Sequence, residues 1–376
     1  MIMGWPIPDV PEKSAIPALR YGRWFIVLVI MVVTGSLLAL FIGRFDTYIP
    51  AFLYGALPAF LLWLCIFGIM LNRNDQSGAS AYIWHQETQE TKSQWQQWSR
   101  EQLAVVGNVL LTPELEGINS VLGPLSEIPM FPQKGRSLWG SKQSLPSRLN
   151  FIDIELERQA IGYRHHLYTV YVLHSSALHR ETIQSSVFNQ WQLVPEFVPS
   201  IDKIKELNFD HEIKGFALIL ILQQWSENRP QKFSEFVSAQ LICSPRFMRE
   251  NKYSLLAGLG RMMPLSPENI HDDLDMLFDY NRLNMNDLKH VWLSGETENN
   301  AVVVSMYAES HQWLLPKKKP VHYVDLTFGP PGEQAFGVSL SMMVEAVRLT
   351  SQNQLIVYQK PKSSGWQCLI TRELFS

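Results

Sequence analysis

The chain has little cysteine: three in 376 residues. Cys65 lies inside an apolar run, which leaves Cys243 and Cys368 for everything that follows. Two thiols are not a disulfide framework, and such scarcity agrees with a reducing compartment. Charge of either sign is also in short supply. Lysine and arginine number 32 against 35 acidic residues, for a net charge of −3, so nothing marks nucleic acid as a bulk electrostatic partner. The sequence has no HExxH, GxSxG, P-loop or CxxC pattern, which excludes the commonest zinc-hydrolase, nucleophile-elbow, nucleotide and dithiol sites. No cofactor is expected.

Long apolar runs are present. Trp24–Gly43 and Ile49–Leu71 hold 20 and 23 residues without a charge, and about 20 residues of helix span a hydrocarbon core of roughly 30 Å. Buried core helices would be the alternative, but these rarely exclude charge twice in succession. The first run is too long for a signal-peptide core, and a second follows at once. A two-pass hairpin over residues 24–71 is expected, with a short segment of residues 1–23 before it. Lys13, Arg20 and Arg23 precede the first run, Arg44 alone lies between the two, and Arg73, Lys92 and Arg100 follow. Positive residues stay inside, which places both ends in the cytoplasm of a bacterial inner-membrane protein.

Residues 72–102 read as a polar linker (NRNDQSGAS) and then a helix carrying Trp84, Trp95 and Trp98, fit either for the bilayer interface or for packing on its own domain. From Leu103 the pattern becomes short apolar runs alternating with helices. LAVVGNVLL (103–111), HLYTVYVLH (166–174), GFALILILQQW (215–225) and EFVSAQLICS (235–244) read as strands. Further strands are expected at 288–293, 321–326, 354–359 and 366–372, and helices at 200–207, from Ser266 to 277 or 278, and at 337–349. Runs that are apolar throughout predict a sheet covered on both faces, hence a layered α/β domain. It covers 103–376, in halves of about 103–250 and 251–376.

Several local patterns invite chemistry. GLGR (258–261) lacks the third glycine of a dinucleotide fingerprint and reads as a turn. Ser200 and Lys203 match an SxxK spacing, but Ser200 also fits a helix cap. His271, Asp272, Asp273 and Asp275, or Asp210, His211 and Glu212, could supply metal ligands, although neighbouring side chains diverge; the first group reads as the solvated face of a helix. Lys317, Lys318 and Lys319 form a basic run that would assist docking to an anionic membrane surface, or simply an exposed loop.

The order of these elements resembles the thiolase-like, and especially the β-ketoacyl synthase-like, family over roughly residues 103–376. LNMNDLKHVWLSGE (283–296) is similar to the segment leading to that family's first catalytic histidine. FGPPGEQAFGVSLSMMVEAV (328–347) is similar to the later turn, where a second histidine precedes a buried helix. The resemblance implies a cysteine at a helix N-terminus, where the dipole lowers its pKa, and a homodimer. The matching region here, Val198 to Ile204, has no cysteine, with Ser200 nearest. The first histidine position falls at Ser294–Gly295 and the second at Pro330 or Pro331, within the turn from Gly329 to Gly332. The resemblance therefore implies a scaffold that lacks its thiolate and both imidazoles.

Two functional classes follow. One is a non-catalytic thiolase-like scaffold or adaptor tied to the lipid bilayer, of the kind an accessory protein of a bacterial (type VI) secretion system would need. The other is a membrane-bound acyltransferase or hydrolase with a displaced nucleophile, for which Ser200 and Cys243 are the candidates. An immunity protein is a third reading.

Overall fold

The computed structural model describes residues 5–8, 13, 16–17, 19–43, 48–140, 143–175, 179–209, 213–225, 232–266, 268–295, 297–317, 319–359 and 365–375. They divide into two compact units, Pro8–Gln94 on one hand and Met1–Ile7 with Trp95–Ser376 on the other.

The first unit is made of two helices long and apolar enough to cross a membrane. Helix α1 spans Tyr21–Gly43 and α2 spans Leu57–Arg100, with a π-helical turn at Phe52–Ala56 just before it. Their apolar side chains point outward: Phe41, Phe52 and Ile69 are all more than 60% exposed. Within this chain, then, their apolar faces are not part of a core. The two helices meet at small residues. A Cβ on Gly35 would lie 2.8 Å from the Gly55 carbonyl oxygen and from Ala59 Cβ. The Trp63 indole donates to the Trp24 carbonyl (3.1 Å) and stacks on Phe67 (4.7 Å). The expected linker at 72–80 is helical within α2. It contains no proline, and its single Gly78 does not stop a helix already propagating. The connection at 44–47 lies outside the described residues.

The second unit holds a ten-stranded sheet: β1 Leu103–Leu111, β2 Leu167–His174, β3 Glu196–Phe197, β4 Phe216–Gln223, β5 Phe236–Cys243, β6 Ala257–Leu265, β7 Leu288–Gly295, β8 His322–Tyr323, β9 Asn353–Gln359 and β10 Gly365–Thr371. The order is β3-β2-β4-β5-β1-β6-β10-β9-β7-β8. Read from its two edges, the same pattern occurs twice. In each half a first strand lies beside the fifth, antiparallel to it, and the second strand pairs in parallel with the third and fourth. The halves join where β1 pairs with β6.

Helices cover both faces. In the first half α3 (Leu145–Gln159) follows β1 and α4 (Arg180–Trp191) follows β2; in the second, α5 (Ile270–Asn281) follows β6 and α6 (Thr297–Ser310) follows β7. Val291, Leu293, Leu355 and Val357 pack with α5 and α6 in one cluster. Their alternate neighbours Trp292, Ile356 and Tyr358 pack with α7 (Ala335–Thr350) in the other, as the two-residue period of a strand requires. From Ala335 to Val347 only Glu345 of α7 escapes burial. Asn108 of β1 fixes this helix by donating to the Ser341 carbonyl (3.2 Å) and accepting from the Ser341 hydroxyl (2.6 Å). Trp5 and Ile7 are buried in the cluster of α5 and α6, so the chain leaves this unit and returns to it.

The symmetry breaks at one place. Between β8 and β9 the second half has the sixteen-residue α7. Between β3 and β4 the first half has two 3₁₀ turns, Ile201–Lys203 and Glu206–Asn208. The helix expected at 200–207 does not form; Ile201, Ile204 and Leu207 recur every third residue, the 3₁₀ period, and all three are buried. Two further expectations are corrected. GLGR is no turn but part of the first half of β6, whose pairing with β10 shifts register between Cys368 and Ile370; glycines in a strand often mark such an irregularity. The expected strand 321–326 stops at Tyr323 and turns into a short helix, Val324–Phe328.

Candidate functional site

Two of the three segments that the family resemblance singles out, 198–204 and the turn from Gly329 to Gly332, meet where α7 begins. Gly329 has φ +91°, a conformation open to glycine, and a Cβ there would strike the Lys134 carbonyl. The Ser234 hydroxyl donates to the neighbouring Phe328 carbonyl. At Gly332 a Cβ would fall on the side-chain amide of Gln223, the last residue of β4. That amide donates to the Ser234 carbonyl (2.9 Å) and accepts the Gln334 N–H (3.1 Å). Gln334 in turn donates to the Pro199 carbonyl (3.1 Å), and Gly337 packs on Ile201. The 199–201 segment and the 329–337 segment are thus in contact, and buried amides and a buried hydroxyl fill the space between them. Pro331 has no N–H to offer an anion, and neither it nor Pro330 can carry a proton.

Ser200 does not cap a helix. Its hydroxyl donates to Asp202 Oδ1 (2.5 Å), and Lys203 pairs with that carboxylate (2.9 Å) rather than with Ser200. Burial acts to raise the Asp202 carboxyl, but these two partners outweigh it and hold it below its usual range. Cys243 ends β5 fully buried, and burial pushes its thiol up to about 12, the reverse of an activated thiolate. His174 donates from Nδ1 to the Ser175 carbonyl (2.8 Å) and turns its ring edge to Phe197; it serves neither candidate. His211 lies outside the described residues.

Ser294 and Gly295 close the end of β7 and meet a different group. The Ser294 hydroxyl donates to Asp325 Oδ1 (3.0 Å), and the Gly295 N–H donates to Oδ2 (2.5 Å). Burial raises the Asp325 carboxyl to about 7, against the opposing pull of those two donors. A carboxyl with such a pKa is a common sign of acid–base catalysis. Here it ties the Val324–Phe328 turn to β7, and it lines neither of the two clefts described next.

One cleft, of about 150 Å³, is lined by Val121, Met130, Val321, Tyr323, Leu326 and Lys319. Lys319 is half-buried, donates to the Val121 carbonyl, and is pushed down to about 8 by burial. It is not the freely exposed lysine expected of a basic surface loop. Lys317 is exposed, and Lys318 lies outside the described residues. The other cleft, of about 440 Å³, is lined by Pro113, Lys134, Arg136, Trp139 and Trp225 among others. None of Ser200, Cys243, Ser294 or Gly295 lines either.

Gln223, Ser234, Gln334 and Asp325 were not singled out by the sequence. The available signal was a pair of glutamines closing the strongest strand pattern, GFALILILQQW, and a lone aspartate in YVDLTF. The interfacial reading of the tryptophans is settled for two of them: Trp95 and Trp98 pack against the cluster of α5 and α6, and Arg261 lies 4.3 Å over the Trp98 ring.

No family model matches the chain, and no curated protein sequence does either. Solved structures do. A chain of a type II polyketide synthase complex, in which an acyl-carrier protein is bound to its ketosynthase, aligns over 72% of this chain and 99% of its own, with TM-score 0.52 and 10% identity. An oxazolomycin ketosynthase domain of Streptomyces albus JA3453 aligns over 73% and 76%, with TM-score 0.52 and 10% identity. The ketosynthase from module 1 of the bacillaene synthase of Bacillus amyloliquefaciens FZB42 aligns over 74% of each chain, with TM-score 0.51 and 12% identity. The sheet-bearing unit therefore has a mixed α/β, thiolase-like fold of the ketosynthase kind. At these identities the likeness is one of fold.

Proposed function

We propose that this protein is a non-catalytic thiolase-like scaffold, held at a bilayer by its two apolar helices and offering its α/β unit to a protein partner. The observation that carries the reading is the packing around Gly332. Gln223, Ser234 and Gln334 fill the place where the resemblance implies a reacting centre. The second support is the missing helix between β3 and β4, without which the 198–204 segment has no helix N-terminus to activate a nucleophile. The third is chemical: the Cys243 thiol is protonated at neutral pH.

In this reading residues 5–7 and 95–376 lie on one side of the membrane. They share one compact unit, and two crossings return a chain to the side it left. The lysine and arginine distribution supports the cytoplasm as that side, and a bacterial inner membrane is the setting of this reading. Handling of effectors by a secretion apparatus is the setting we propose for such a scaffold, with a second copy of the chain as a further partner.

A turnover assay tests the reading. Full-length protein in detergent micelles is incubated with acetyl-CoA and with a long-chain acyl-CoA, and released thiol is measured. Release no faster than the protein-free blank is expected. Release that Ser200→Ala or Cys243→Ala abolishes would establish the displaced-nucleophile enzyme instead.

A further inference from the structure

We propose that the outer layer of the second half carries a zinc-class metal site, built by His271 and Asp275 of α5, His311 just beyond α6, and Asp272. The metal-binding atoms of His271, Asp272 and Asp275 all lie within 4.8 Å of one another. His271 and Asp275 are four residues apart on one helix, which puts both on one face, and His271 Nδ1 is 3.4 Å from Asp275 Oδ2. His311 arrives from the neighbouring helix, with Nε2 3.6 Å from Asp275 Oδ1. Tetrahedral ligands at 2.0–2.2 Å from zinc sit about 3.3 Å apart, close to both histidine–Asp275 separations.

The orientation of His311 is the informative detail. Its Nδ1 lies 3.1 Å from the Tyr307 carbonyl and 2.9 Å from the Ser310 hydroxyl, which turns Nε2 toward Asp275. A backbone carbonyl beside the far nitrogen is a usual way in which a ligating histidine is oriented. Tyr307 supplies the rest of the support. It is fully buried, stacks on His311 at 4.2 Å, meets the His271 ring edge at 4.9 Å, and donates to Asp275 Oδ1 (2.8 Å). Two imidazoles among the ligands select zinc-like ions over magnesium or calcium. Asp273, which the sequence placed on the same solvated face, is instead buried and accepts the Ser266 N–H (2.7 Å); it is not a ligand.

The test is a Zn²⁺ titration of the untagged full-length protein in detergent micelles, read by calorimetry and by thermal melting. One zinc per chain is expected, with a higher melting temperature. His271→Gln and His311→Gln should each weaken binding by about tenfold or more. His290→Gln, which alters the separate His290–His322 pair, should leave it unchanged, as should millimolar Mg²⁺. All three substitutions replace side chains outside the fully buried core, and melting of the metal-free proteins verifies that they fold. Absence of stoichiometric zinc binding, or binding indifferent to both His271→Gln and His311→Gln, would overturn the site.

Discussion

Asp325→Asn should gain stability relative to wild type as the pH rises from about 4 to about 7, and the gain should then level off. The Asp325 carboxyl is raised by burial to about 7 in the folded protein, whereas in the unfolded chain it titrates near 3.9. Between those values the unfolded state has released its proton and the folded state has kept it. Unfolding then releases a proton and becomes easier as pH rises, so this group's contribution falls through the window and is flat above it. About three pH units correspond to roughly 4 kcal/mol at most. An asparagine mimics the protonated acid: its carbonyl accepts the Gly295 N–H, and its amide donates to the Ser294 hydroxyl, which can turn to accept. Urea unfolding of both proteins at pH 5 and pH 8 measures the effect. Parallel pH profiles would mean that Asp325 is ionised in the folded protein.

Asp153→Ala should destabilise the α/β unit by about 3 kcal/mol. Asp153 is buried on α3 and accepts from the Tyr163 hydroxyl (2.5 Å), Arg164 Nε (2.8 Å) and Gln190 Nε2 (2.8 Å). Tyr163 is itself fully buried and accepts from the Trp191 indole (2.7 Å), so the network joins α3 to α4. Breaking a buried ion pair costs about 3–5 kcal/mol. Arg164 is half exposed and can rehydrate, which sets the lower end. Asp153→Asn keeps an acceptor and should lose about 1 kcal/mol. Denaturant midpoints followed by tryptophan fluorescence separate the two. Equal midpoints for wild type and Asp153→Ala would show that the network adds nothing.

The strands were legible where burial on both faces left an unbroken apolar run. LAVVGNVLL is β1 with the same limits, and GFALILILQQW holds β4. The helix at 337–349 was legible because α7 is apolar around most of its circumference. The misses have physical causes. Ile201, Ile204 and Leu207 satisfy a helix and a 3₁₀ turn alike, and tertiary packing decides between them. Helices α3 and α4 mix polar residues into every turn, so no clean periodicity announces them. The candidate centre was the least legible part. Gln334 is far from Gln223 and Ser234 in the chain, and only the approach of the start of α7 to the β4–β5 pair brings its backbone N–H to the Gln223 amide. In the same way, the His271–Asp275 spacing is local and readable, while His311 joins it only through the packing of α6 on α5.

Intact-mass spectrometry after prolonged incubation with acyl-CoA, and separately with a fluorophosphonate, addresses the proposed non-catalytic role most directly. The account predicts an unmodified mass under both reagents. A stoichiometric adduct mapping to Ser200 or Cys243, and lost on replacing that residue by alanine, would contradict it.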